Sequence, residues 1–310
     1  MELQSIRYFL AVADAASFRR AAEHVGVSQP AVSQSIALLE AELGTRLFDR
    51  AARRVTLTPA GRDFLDPARR ALAEFDALRG HLDRARGVVR GRLEIGTTDV
   101  ASIYVLPRVY RTFRGQHPDV ELSVRVEGTE SLLRQLRDGA VELAIISLSV
   151  ADRNAELPGP GFVAKPLFRE QLLFLLAKSH PLAARRRLTL ADLADTPLIT
   201  FKADSITRRA VDDLFRAHGL APRVAMEMSS PEAIKKLVEV GLGMSVLPAP
   251  SVRAEIRSGT LVAPTVKNAR LERVLGVVWD GRRTLSPAGD AFLSMLDRVR
   301  NVREGPEAPA

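Results

Sequence analysis

The chain has 310 residues, with 45 Lys and Arg against 37 Asp and Glu, a formal charge of +8 and no cysteine. Disulfides, thiolate metal sites and cysteine nucleophiles are therefore excluded, and this length accommodates about two cores. No apolar run approaches the ~18 residues of a bilayer span, no basic segment leads into an apolar one at the start, and the positive charge favours an acidic partner. A cytoplasmic protein is the expectation.

Leu3, Ile6, Leu10 and Ala13 place an amphipathic helix first. Ser17 is an N-cap, helix formers follow to His24, and Gly26 supplies a left-handed terminus. Ser28 caps another helix, with Pro30 in its first turn. Val32, Ile36, Leu39 and Leu43 make one narrow apolar stripe along it, while Pro30, Ser33, Gln34, Ala37 and Ala41 occupy the opposite face. A solvated helix face ordinarily carries Lys and Glu. Small residues, amides and hydroxyls instead suit a helix that enters the major groove, about 12 Å wide, and reads base edges. Gln29 lies near the helix start, where base contacts concentrate. Packing against another protein is the alternative use of such a face.

Past Gly44, the arginines Arg46, Arg50, Arg53 and Arg54 flank Asp49, and Val55–Thr58 alternates as a strand does. A basic two-stranded hairpin of this kind suits phosphate contact or minor-groove insertion. In this order, residues 17–61 resemble the winged helix-turn-helix of the LysR-type transcriptional regulators. The resemblance implies that Gln29, Pro30, Ser33 and Gln34, with Ser28 beside them, meet promoter DNA in the major groove. Arg50, Arg53 and Arg54 would hold the backbone from the wing. Many relatives carry Arg where Gln34 stands and Thr where Arg19 stands, so the operator sequence does not carry over. The resemblance also implies a homodimer or homotetramer that bends its DNA and, for an activator, contact with RNA polymerase.

Pro59 and Gly61 open a long helix to about Arg86, striped by Phe64, Leu65, Ala68, Leu72, Phe75, Leu78 and Leu82. A helix of that length extends close to ~40 Å, more than one winged domain covers. A second copy of the helix would cover the surplus stripe, and the chain's own C-terminal part is the alternative. In LysR-type proteins this linker helix makes the dimer.

From Arg92 strands and helices alternate. Strands are predicted near Leu93–Thr97, Val120–Val126, Leu143–Ser147, Gln171–Leu176, Leu198–Phe201, Arg223–Met228, Gly243–Leu247 and Val274–Trp279. Helices are predicted near Ser102–Arg114, Glu130–Asp138, Ile206–His218, Pro231–Val240 and Pro287–Arg300. This order predicts two α/β lobes with a mostly parallel, doubly wound sheet. Crossings at Gly159–Val163 and Ala263–Arg270 would form the hinge. Leu106-Pro107, His117-Pro118, His180–Ala183 and Val238–Pro248 resemble the LysR-type effector domain, itself similar to type 2 periplasmic binding proteins. The expected fold is therefore multidomain. Residues 1–58 are a winged helix-turn-helix, 59–88 a linker helix, 89–302 an effector domain and 303–310 a disordered tail. Lobe I is expected over 91–161 and 268–302, and lobe II over 162–267.

In open α/β sheets, ligands sit beyond strand C-termini, where helix N-termini aim N–H groups into a crevice. Thr98, Asp99 and Val100, then Thr129, then Ser229 and Ser230 mark three such points. Ser147, Thr200 and Lys202, at or near strand ends, would complete a site for a small anionic metabolite. Simple helix capping is the competing use of these hydroxyls. The Thr97–Asp99 opening also resembles the branch whose members sense inorganic sulfur compounds. The five histidines are scattered, and neither zinc-ligand spacing nor a P-loop occurs. No catalytic residue, metal or cofactor is expected. A regulator without a ligand, its C-terminal part serving oligomerisation alone, is the alternative function.

Overall fold

The computed structural model describes residues 2–49, 55–84, 89–148, 150–151, 154–155, 159–185 and 187–303. The N-terminal unit comprises α1 (Leu3–Ala15), α2 (Phe18–Val25), α3 (Gln29–Leu43), β1 (Phe48–Asp49) and β2 (Thr56–Leu57), followed by α4 (Pro59–Arg84). Its boundaries follow local chemistry. Ser17 accepts from Arg20 N and Ser28 from Ala31 N, while Gly26 and Gly44 end their helices at φ 71° and 67°. Phe9, Val12, Ala21, Ala22, Val32, Ile36 and Leu39 fill the core, where the Phe9 ring lies 5.2 Å from Phe48 and 5.1 Å from Phe64. Leu43 departs from the predicted stripe and is exposed.

Thr58 joins the hairpin to α4: its Oγ1 donates to Arg46 O over 2.6 Å and accepts from Gly61 N over 3.0 Å. A Cβ on Gly61 would lie 2.1 Å from Leu47 O, so only glycine allows this approach. The first turns of α4 bury Ala68 and part of Phe64, Leu65 and Leu72 in the N-terminal core. Further along, α4 touches α7 and α12 of the C-terminal part, yet Phe75 and Leu78 stay 48% and 57% exposed. The chain's own C-terminal part thus covers some of the stripe, while Phe75 and Leu78 remain exposed.

The C-terminal unit begins with β3 (Gly91–Thr97), α5 (Asp99–Tyr104), α6 (Pro107–Gln116), β4 (Val120–Val126), α7 (Thr129–Asp138) and β5 (Leu143–Leu148). Next come β6 (Val150–Ala151), β7 (Asn154–Ala155), the long β8 (Phe162–Ala177), β9 (Arg187–Leu188), α8 (Leu190–Ala194), β10 (Leu198–Phe201) and α9 (Ile206–Ala217). The chain continues through β11 (Val224–Met228), α10 (Pro231–Glu239), β12 (Ser245–Pro248), α11 (Ala249–Ser258), β13 (Leu261–Val262) and β14 (Thr265–Val266). It closes with β15 (Leu271–Asp280) and α12 (Pro287–Arg303). The helix predicted over 102–114 is two helices, because Pro107 lacks the N–H that would carry α5 onward and instead starts α6.

The main sheet has seven strands and is mixed. In it β3 pairs parallel with β4 and β5, whereas β15 pairs antiparallel with β5 and β8, and β8 with β12 and β13. Among the described residues, the expected parallel pairing holds for β3, β4 and β5 and for the β10–β11 and β9–β14 pairs. A chain that leaves one lobe and returns must cross twice in opposite directions, and neighbouring crossings pair antiparallel. Those crossings are the strands β8 and β15, paired from Phe162↔Asp280 to Leu172↔Leu271, and not the predicted loops at 159–163 and 263–270. Because β15 also carries the first lobe's β5, residues 162–170 lie in the first lobe's sheet. The second lobe starts later than 162.

Candidate functional site

Two surfaces merit description. The first is the outer face of α3, where Ser28, Gln29, Pro30 and Gln34 are exposed and Ser33 is half-buried. Ser28 also spends its hydroxyl on the helix cap. The helix is held firmly from behind: Ser35 Oγ meets Ser5 Oγ of α1 at 2.9 Å, and Val32, Ile36 and Leu39 are sealed in the core. The Glu40 carboxylate accepts from Leu47 N at 2.8 Å and Phe48 N at 3.1 Å, which fixes the hairpin base to the end of α3. This link was not evident in the sequence, where Glu40 looks like any surface acid. Leu38, 65% exposed, lies one turn beyond Gln34 and adds an apolar group to that edge. The wing arginines Arg50, Arg53 and Arg54 lie outside the described residues.

The second surface is a cleft of about 320 Å³ between the lobes, within the range of small-ligand pockets. Thr98, Asp99 and Val100 at the start of α5, Thr129 at the start of α7, Ser147 on β5, Lys202 after β10 and Ser229 after β11 all line it. Seven of the nine predicted effector residues thus meet in one cavity. Thr200 and Ser230 do not line it. Thr200 sits inside β10, 3% exposed, while the next two residues, Phe201 and Lys202, reach the cleft from the strand end. Ser230 accepts from Ala233 N at 3.4 Å and so caps α10.

Helix capping explains Ser230 but not its counterparts. The N-cap residues of α5, α7 and α9 are Thr98, Gly128 and Ser205; all three line the cleft, and none makes a side-chain cap hydrogen bond. Thr98 Oγ1 is itself buried without a hydrogen-bond partner. Charge in the lining is mixed: Arg134, Lys202 and Arg273 face Asp99, Glu127, Glu130 and Asp204.

Arg273 is the cation that the sequence pattern did not suggest. It projects from β15, 4% exposed, with Nε donating to Glu170 Oε2 at 2.8 Å. Its Nη2 lies 2.6 Å from the same oxygen as an ion contact without hydrogen-bond geometry, and Nη1 reaches Thr207 Oγ1 at 3.4 Å. Neighbouring charges stand at the same place in both strands, Arg169-Glu170 in β8 and Glu272-Arg273 in β15, so the sequence did not mark which of them is buried. Among the described residues, no cluster of His, Cys, Asp and Glu could hold a metal ion, and no helix is long and apolar enough to cross a membrane.

Residues 86–300 match the family model for the LysR substrate binding domain, and residues 3–62 match that for bacterial regulatory helix-turn-helix proteins of the lysR family. The chain belongs to the LysR family. It is a DNA-binding transcriptional regulator with an effector-binding domain, and not an enzyme. It is 33% identical over 292 residues to the RuBisCO operon transcriptional regulator of Allochromatium vinosum, covering 94% of each chain. It is 32% identical over 305 residues to the HTH-type regulator YnfL of Escherichia coli, covering 97% of this chain and 99% of that one. Among solved structures, a full-length OxyR of Pseudomonas aeruginosa aligns with a TM-score of 0.74 at 26% identity, covering 100% and 99% of the two chains. Full-length CbnR complexed with its target DNA aligns at 0.67 and 26%, covering 96% and 99%. As a LysR-family chain, it has the two-lobed architecture expected from its motifs.

Proposed function

We propose that this LysR-family regulator reads promoter DNA with Gln29, Pro30, Ser33 and Gln34, grips its backbone with the wing arginines, and responds to a small anion held in the inter-lobe cleft. The observation that supports the ligand is the convergence of three helix N-termini, each without a side-chain cap, on one cavity. Unsatisfied N–H groups at a helix start attract negative charge, each terminus contributing about 0.3–1 kcal/mol when exposed. The four carboxylates in the lining disfavour a polyanion. A monoanion bearing hydroxyl or amino donors matches the volume, the N-termini and the acids together.

Phe75 and Leu78 on α4 are the surface on which a second copy pairs, giving a homodimer from which a homotetramer is built. Two winged domains then address two half-sites. Ligand changes transcription only through its different affinity for alternative arrangements of lobes or subunits. Action on a promoter places the protein in the cytoplasm, and RNA polymerase is a partner if the outcome is activation.

Calorimetry of the full chain against sulfate, phosphate and a panel of hydroxy and amino monocarboxylates tests the cleft. Heat of binding is expected for at least one monoanion and is lost in Thr129→Val with Lys202→Ala. Salt-sensitive binding of duplex DNA with no binder in the panel would reduce the C-terminal unit to an oligomerisation module.

A further inference from the structure

We propose that Tyr104 and Lys235 are positioning residues of the cleft: they fasten α5, whose first turn lines the cleft, to the second lobe. By chain order α5 belongs to the first lobe, directly after β3. Its side chains nevertheless engage the other lobe at both ends. Val100 packs with Leu175, Ile199, Phe201 and Ile234 in the second lobe's core while also lining the cleft. At the far end the Tyr104 hydroxyl accepts from Lys235 Nζ at 3.0 Å, and the same Nζ stands 5.3 Å from the Tyr104 ring centroid.

Lys235 lies on α10 and is only 3% exposed. Its ammonium also donates to Ser251 O at 2.9 Å and Glu255 Oε1 at 2.7 Å, with Glu232 Oε1 at 3.0 Å. Those three partners belong to α10 and α11, so the lysine is anchored wholly within the second lobe. Burial works against its charge, but the hydrogen bonds to Glu255 and Glu232 outweigh that and hold its pKa above the usual lysine value. A charge enclosed in this way does not leave its partners cheaply. Tyr104 is therefore bound to a rigid post. The second lobe cannot turn against α5 without straining that bond, and α5 cannot shift without moving Thr98, Asp99 and Val100, which line the cleft. Lobe angle and ligand geometry become one variable.

The ligand half of this inference rests on the cleft reading above; the fastening itself is tested without ligand. Hydrogen exchange by mass spectrometry on the full chain compares wild type, Tyr104→Phe and Tyr110→Phe. Tyr110, on α6, has a buried hydroxyl with no hydrogen-bond partner and serves as the control. In Tyr104→Phe, amides of 231–258 are expected to exchange about tenfold faster, as loss of a hydrogen bond to a charged group implies, with β3, β4 and β5 unchanged. Tyr110→Phe leaves 231–258 as in wild type. Equal exchange of 231–258 in Tyr104→Phe and wild type overturns the fastening.

A second arm titrates lactate, a hydroxy monocarboxylate, by thermal shift. Where wild type binds lactate, Tyr104→Phe is expected to bind it at least about threefold more weakly, although no residue lining the cleft has changed. Unchanged affinity overturns the positioning role. No lactate binding by wild type counts against the cleft reading for that anion, and the exchange result then decides the fastening alone.

Discussion

Arg273 and Glu170 are direct cross-strand partners on β15 and β8, with Nε donating to Oε2 over 2.8 Å and both residues 4% exposed. The pair sits where the two strands pass between lobes, and each buried charge there depends on the other. Removing one partner leaves a buried charge unmatched. Glu170→Gln or Arg273→Gln is expected to cost about 3–5 kcal/mol. The double variant Glu170→Met with Arg273→Met should cost less than the sum of the two single changes. Urea unfolding at fixed protein concentration measures this through Trp279, the chain's one tryptophan, which lies on β15.

The junction of hairpin and linker helix depends on Gly61. Its added Cβ would meet Leu47 O at 2.1 Å, against backbone that cannot yield as a side-chain tip can. Gly61→Ala is expected to destabilise the N-terminal unit by about 1–3 kcal/mol, the usual cost of overpacking. Duplex affinity should fall while cleft-ligand affinity stays unchanged. Thermal unfolding and gel-shift titration of the same preparation separate the two effects.

Reading and gripping should separate by mutation. Gln34→Ala or Ser33→Ala is expected to relax base preference at one position by about 1–3 kcal/mol. Arg53→Ala should weaken all duplexes alike and lower the slope of log affinity against log salt by about one. Binding to randomised duplexes at several salt concentrations checks both. A change of sequence preference alone in Arg53→Ala would contradict this division of roles.

Acidity gives a further handle through Glu142. Burial is the main influence on its carboxyl and raises its pKa, against the Ser286 N–H and hydroxyl that hydrogen-bond it. The folded state therefore binds this proton more tightly than the unfolded state. Its contribution makes stability fall as pH rises from the usual value of 4.5 through the folded pKa. Glu142→Gln should flatten stability against pH in that window, so wild type gains on the variant as pH is lowered. Asp280 behaves oppositely. Its hydrogen bonds to Arg282 lower its pKa, and that stabilisation is lost only as pH falls below 3.8.

The N-terminal unit was legible because its determinants are local. Ser17, Gly26, Ser28 and Gly44 act on backbone groups within a few residues, and Val32, Ile36 and Leu39 declare a buried face by spacing alone. The cleft was partly legible for the same reason, since Thr98, Thr129 and Ser229 follow strand ends. Thr200 and Ser230 misled because a hydroxyl near a strand end can face the core or cap its own helix equally well.

By itself, the sequence determined the DNA-reading module, the long linker helix and the succession of strands and helices, all set by capping, periodicity and turn chemistry over short separations. Only the tertiary structure decided that the lobes are joined by paired strands, that Arg273 meets Glu170 across 103 residues, and that Tyr104 meets Lys235 across 131. Charges buried in a core are stable only where a partner arrives from elsewhere in the chain, and local spacing does not encode that arrival.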